Sequence, residues 1–106
     1  MNIELRRLDP TVSEDINLPN EPFRLWGRLH PRYDGQWTHT VETFPKEEVT
    51  EMTFPNEHYD GAAMAENSFF VGAYDEDGKC VGLAIYQQAW NKYLYLYDLK
   101  VSGRCR

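Results

Sequence analysis

The chain has 106 residues and a mass of 12.5 kDa, which suits one domain built on one modest core. Its composition, 42% hydrophobic and 26% charged, argues against intrinsic disorder. With 17 acidic against 11 basic residues and a net charge of −6, it is a poor partner for nucleic acid, where phosphate neutralisation supplies most of the affinity, and a natural one for a cationic small molecule.

There is no apolar run of about 18 residues, so no membrane span is expected. The start, Met1-Asn2-Ile3-Glu4-Leu5-Arg6, has no apolar stretch behind a basic residue and does not read as a signal peptide. Cys80 and Cys105 are too few for a disulfide framework and read as reduced thiols of a cytoplasmic protein. Three Trp, seven Tyr and five Phe predict a core or cleft built of rings.

In chain order, Ile3–Leu8 reads as a strand stopped by Asp9-Pro10, because the residue before proline avoids the helical region. Pro19, Asn20 and Pro22 prevent a long helix. From Phe23 to Phe44 apolar and polar residues alternate about Asp34-Gly35, which predicts a β-hairpin. Trp26, Tyr33 and Trp37 lie on it, either walling a pocket for an amine or packing on the core. His30 and His39 are placed to face each other across it. No third ligand follows at metal spacing, so no metal site is expected.

Pro45–Val49 predicts a short helix start. Gly61–Ala65 reads as a helical turn or a loop. Ser68–Tyr74, Lys79–Trp90 and Tyr93–Val101 predict three strands. Asp75-Glu76-Asp77-Gly78 and Asn91-Lys92 turn the chain between them, the first as a solvated acidic turn. Val81, Leu83 and Ile85 share one face of the second strand, and Cys80 is a small buried residue within it. The third strand carries Tyr93, Tyr95 and Tyr97 on one face and Leu94 and Leu96 on the other. Apolar on both sides, it should be covered on both. With few helices to cover it, the sequence reads as an incomplete domain over residues 1–106 that continues past Arg106. An open apolar edge of this kind also predicts association, with a second copy as a homodimer through the last strand or with a missing fragment of the domain.

The three-strand meander ending Tyr97-Asp98-Leu99-Lys100-Val101-Ser102-Gly103-Arg104-Cys105-Arg106 resembles the first half of the GNAT acetyltransferase fold. Asn20-Glu21-Pro22-Phe23, Pro31-Arg32-Tyr33, Trp37-Thr38 and Ala89-Trp90-Asn91-Lys92-Tyr93 resemble the N-terminal part of streptothricin acetyltransferases. The resemblance implies an α+β fold, mostly antiparallel, with few short helices and the C-terminal half absent. It implies acetyl transfer from acetyl-CoA to a primary amine, of a cationic antibiotic such as streptothricin, by the intact parent; these 106 residues alone are expected to be inactive. Backbone groups of Leu99, Lys100 and Val101 would hold the pantetheine arm, and Arg106 would lead into the pyrophosphate loop. Asp98 would be the general base, the alternative being a strand-end acid paired with a lysine or a backbone amide. Read from the residues themselves, Tyr97 either lines the acceptor cleft or packs in a core with Tyr93 and Tyr95, and Tyr33 and Trp37 are the hairpin candidates for the acceptor site. A β-bulge would have to turn Asp98 away from Leu94 and Leu96 into the cleft. The runner-up function is a non-enzymatic β-rich binding module that dimerises through its last strand.

Overall fold

The computed structural model describes residues 2–106. The chain forms two units. One joins the chain up to Asn20 with Pro55–Arg106, and the other is Glu21–Phe54.

The first unit is a four-stranded antiparallel sheet in the order β1-β6-β7-β8, from β1 (Glu4–Leu8), β6 (Ser68–Tyr74), β7 (Cys80–Gln88) and β8 (Leu94–Val101). β6 alternates strictly, with Ser68, Phe70, Gly72 and Tyr74 buried and Phe69, Val71 and Ala73 half-buried. On β7, Val81, Leu83 and Ile85 are buried, as the alternation predicts. Phe70, Leu83 and Ile85 meet Ile16 of the 3-10 turn Glu14–Asn17. Leu8, Leu18, Tyr59 and Met64 close around them. Each fully buried ring or branched chain contributes about 1.5–3 kcal/mol through area removed from water.

A short α-helical turn, α1 (Gly61–Met64), is capped by Asp60, whose carboxylate accepts from the Ala63 N–H at 3.2 Å. Gly61 is buried against the Pro10 carbonyl, where any Cβ would collide with backbone. Its side-chain hydrogen lets α1 sit down on that turn.

The acidic turn after β6 is more ordered than a solvated turn. Asp75 accepts from the Asp77 and Lys79 N–H groups, both at 2.9 Å, and from the Arg104 guanidinium, and its carboxylate is buried. Cys80 is half-buried, and its burial raises the thiol pKa.

The second unit holds β2 (Phe23–Leu25), β3 (Gly27–Tyr33), β4 (Trp37–Thr43) and β5 (Thr50–Met52). β3 and β4 form the expected hairpin, with Gly35 at φ 90° in its turn. Phe23–Leu25 does not extend it. These residues pair instead with Thr50–Met52, and Phe23 packs on Phe54 with ring centroids 5.3 Å apart. His30 and His39 do not face each other. His30 opposes Thr40 and His39 opposes Pro31, a one-residue offset that places them on opposite faces. His30 instead shares a 2.9 Å hydrogen bond with Glu42. The hairpin rings are exposed rather than packed on a core: Trp37 is 72% and Tyr33 64% exposed.

β8 departs from the sequence reading in a second way. It is the sheet's edge, and Leu94, Tyr95, Leu96, Tyr97 and Leu99 are all exposed. The described residues leave it open where its two apolar faces predict cover on both.

Candidate active site on the edge strand

The site begins with a register shift. Ile85 pairs with Asp98, yet the next residue, Tyr86, pairs with Leu96. Tyr97 is therefore the extra residue of a bulge in β8. A bulge bends its strand and re-aims the side chains beside it. Here it brings Tyr97 and Asp98 to the same neighbour. Tyr59 sets its ring edge-on to Tyr97, with centroids 5.9 Å apart, and donates its hydroxyl to Asp98 Oδ2 at 2.8 Å. Simple alternation would have left Asp98 with Leu94 and Leu96.

Lys100, two residues on, joins the same cluster. Its ammonium lies 4.0 Å from Asp98 Oδ2 and donates to Glu57 Oε2 at 2.6 Å and to the Leu18 carbonyl at 2.7 Å. Only 9% of the Lys100 side chain is exposed. Asn20 Nδ2 donates to the same Glu57 oxygen at 2.9 Å. The hydrogen bond from Lys100 holds the Glu57 carboxyl below the usual carboxylate range, against an opposing push from burial. Tyr59 is pushed well above the usual phenol range, first by burial and then by its bond to the Asp98 carboxylate.

The segment that delivers Tyr59 is irregular, and a side chain holds it in place. Asn17 accepts from the Tyr59 N–H at 2.6 Å and donates to the Tyr59 carbonyl at 3.2 Å. Both backbone polar groups of a half-buried residue are thereby satisfied without regular structure.

The open edge supplies the other half of the site. The Ser102 N–H donates to the Val81 carbonyl at 2.8 Å, which makes Ser102 and Val81 a hydrogen-bonded pair. Antiparallel pairing alternates, so Lys100 turns its backbone toward Leu83, while Leu99 and Val101 turn theirs outward. The Arg106 guanidinium donates to that outward Val101 carbonyl through Nε at 2.9 Å.

The sequence-predicted residues thus fall into two groups. Asp98, Leu99, Lys100, Val101, Arg106 and Tyr97 converge on β8 and its edge. Tyr33 and Trp37 meet each other at the hairpin end of the second unit, with ring centroids 5.1 Å apart. Sequence reasoning missed Tyr59, Glu57 and Asn17. Glu57 and Tyr59 come from an unpatterned segment and Asn17 from the 3-10 turn Glu14–Asn17, and no local spacing signals contacts 39 to 43 residues away.

Chemically, the cluster offers a carboxylate held by one donor and flanked by a compensated ammonium. Beside it runs a strand edge whose outward Leu99 groups and Val101 N–H can bind an extended ligand as an added strand would, the Val101 carbonyl already accepting from Arg106. No group of three or more His, Cys, Asp and Glu among the described residues is arranged to hold a metal ion. No helix among them is long and apolar enough to cross a membrane.

Comparison with solved structures identifies the fold. A Bacillus anthracis str. Ames protein assigned as a streptothricin acetyltransferase, solved in complex with acetyl coenzyme A, superposes with a TM-score of 0.67 at 23% identity, over 100% of this chain and 59% of that one. Nourseothricin acetyltransferase superposes with a TM-score of 0.66 at 21% identity, over 98% of this chain and 56% of that one. The chain carries the streptothricin acetyltransferase fold, mostly antiparallel with few helices, as the resemblance implied.

The sequence points the same way. The chain is 30% identical over 90 residues to Streptothricin acetyltransferase A of Bacillus subtilis (strain 168), a match that covers 84% of this chain. It spans about half the length of that curated relative, 51%. It is a streptothricin acetyltransferase-like polypeptide. No protein-family model matches it.

Proposed function

We propose that this chain is part of an intact parent that is an acetyl-CoA-dependent N-acetyltransferase of the cytoplasm and acts on a primary amine of a cationic antibiotic such as streptothricin. The observation that carries this reading is the bulge at Tyr97, which turns Asp98 beside a strand edge with free backbone groups. Asp98 is the proton acceptor. An alkyl ammonium has a pKa of roughly 10 and arrives protonated, so a carboxylate both attracts it and takes its proton. The outward amide groups of Leu99 and Val101 are the groups of this chain that fit the pantetheine arm. Lys100 contributes its side chain, since its own backbone is turned toward β7. Arg106, already at the Val101 carbonyl, contributes positive charge toward the phosphates. Tyr97 lines the acceptor site beside Asp98, and Tyr33 and Trp37 offer ring faces to a cation.

The chain spans about half of its relatives' length, and we expect these 106 residues by themselves to bind acetyl-CoA weakly and to turn over little or nothing. The test must therefore read weak binding by position. In a two-dimensional amide NMR titration with acetyl-CoA, resonances of Leu99, Val101 and Arg106 move, and those of β1 stay. Movement confined to other strands, or none at millimolar ligand, rejects the assignment.

A second reading is favoured by the same open edge. A strand with unpaired backbone groups and exposed Leu94, Leu96 and Leu99 is a template for another strand. In this reading the protein is a binding module that dimerises through β8. Sedimentation that gives a monomer at high concentration rules it out.

A further inference from the structure

We propose that Tyr59 is the positioning residue of the acetyl-transfer site: its hydroxyl holds Oδ2 of Asp98 and leaves Oδ1 to receive the proton of the acceptor amine. This rests on Asp98 being the proton acceptor.

The last torsion of an aspartate is broad and nearly two-fold, so a carboxylate on an exposed edge strand exchanges its two oxygens freely. Here the two oxygens are not equivalent. Both the Tyr59 hydroxyl at 2.8 Å and the Lys100 ammonium at 4.0 Å address Oδ2. Tyr59 is also a rigid donor. Asn17 clamps its N–H and its carbonyl, its ring packs against the Phe70–Leu83–Ile85 core, and its edge rests on Tyr97. The hydroxyl is therefore fixed by the sheet's own packing, although it belongs to a segment without regular structure.

Lys100 does not take over this role. Its ammonium lies closer to Glu57 and to the Leu18 carbonyl than to Asp98, and Glu57 compensates its charge. The hydrogen bond to Asp98 thus comes from the Tyr59 hydroxyl, with the Lys100 ammonium further off at 4.0 Å.

The step balances without a further reagent. The ammonium N–H bond breaks, and its electron pair stays on nitrogen as the nucleophilic lone pair. The proton forms an O–H bond at Asp98 Oδ1. Pre-orienting that oxygen places the acceptor in reach of the amine.

The experiment uses the 106-residue protein, labelled with carbon-13 at Asp carboxyl and Tyr Cζ positions, and streptothricin as the probe. Tyr59→Phe keeps the ring and removes only the hydroxyl. We expect the Asp98 carboxyl resonance to shift in Tyr59→Phe, and the Tyr59 Cζ resonance to shift in Asp98→Asn. If neither moves, the contact is absent in solution and the proposal is overturned. Streptothricin titration then separates the two ideas. We expect Asp98→Asn to abolish the saturable response and Tyr59→Phe to weaken it about tenfold, the scale of a hydrogen bond to a charged group. If Asp98→Asn binds like the wild type, the proton-acceptor reading fails while the Tyr59 contact stands. If Asp98→Asn loses binding and Tyr59→Phe does not, the positioning role fails. Should Tyr59→Phe lose its folded circular dichroism spectrum, the Tyr59 Cζ shift in Asp98→Asn decides.

Discussion

Two neighbouring strands with similar sequences have opposite fates. β7 reads Cys80–Gln88 and β8 reads Leu94–Val101, both rich in apolar residues. β7 lies between β6 and β8 and buries Val81, Leu83 and Ile85. β8 lies at the edge, and its leucines and tyrosines stay exposed. Apolarity tells which strand can be covered, whereas position in the sheet decides which strand is. Both strands carry a register shift, β7 at Val81 opposite β6 and β8 at Tyr97 opposite β7, but only in the strand left open does it lie beside an acid, Asp98. In β7 the apolar run is buried inside the sheet, whereas in β8 a similar run is exposed among the described residues.

The sharpest way to break this contrast is to truncate both strands. Ile85→Ala, at 0% exposure, is expected to cost about 3 kcal/mol by chemical denaturation, from lost burial and a cavity. Leu99→Ala, on the open edge, is expected to cost under about 1 kcal/mol. Equal losses would mean that β8 is packed in solution.

An intermediate effect is expected at Lys100, a side chain of β8 tied into the unit by charge. Lys100→Ala removes the partner of Glu57 and the donor to Leu18, and should cost about 2 kcal/mol. That lies below the cost of breaking a fully buried pair, because Glu57 is one-third exposed.

The same pair sets a pH dependence. The Glu57 carboxyl is lowered from 4.5, so its contribution is fully present above that value and is lost as pH falls through the lowered one. Lys100→Met should flatten the acid limb of the stability–pH curve. An unchanged limb would show that Glu57 and Lys100 do not pair in solution. The tyrosines act at the opposite limit. Tyr59 and Tyr74 are raised by burial first and by Asp98 and Asp15 next. Their contributions hold below the ordinary tyrosine value and fade as pH rises above about 10.

The smallest effect concerns the β7–β8 turn. Lys92 holds φ at 69°, a left-handed conformation that glycine adopts more readily. Lys92→Gly should change stability by less than about 1 kcal/mol and leave the bulge in place.

Much of this was legible because it is local. The runs Ser68–Tyr74 and Lys79–Trp90 announce strands by alternation, and Asp34-Gly35 announces a turn. The Tyr97–Val101 segment announces the acid at the strand end. What alternation hides is a change of count. The bulge at Tyr97 leaves no mark in the pattern, although it alone decides which way Asp98 faces. Phe23–Leu25 alternates in phase with Gly27–Tyr33, so sequence merges them. Their partners, Thr50–Met52 and Trp37–Thr43, separate them. Tyr59, Glu57 and Asn17 are invisible for another reason. Their contacts span 39 to 43 positions, and single side-chain bonds over such distances follow from topology.

On the proposed reading, β8 is an edge whose outward amides, at Leu99 and Val101, receive a ligand. Amide hydrogen exchange measured residue by residue tests it most directly. In the free protein, Leu99 and Val101 should exchange quickly while Leu83 and Ile85 are protected, and acetyl-CoA should slow exchange at Leu99 and Val101 alone. Protection of Leu99 and Val101 equal to that of Leu83 in the free monomer, or no slowing with ligand, would contradict the account.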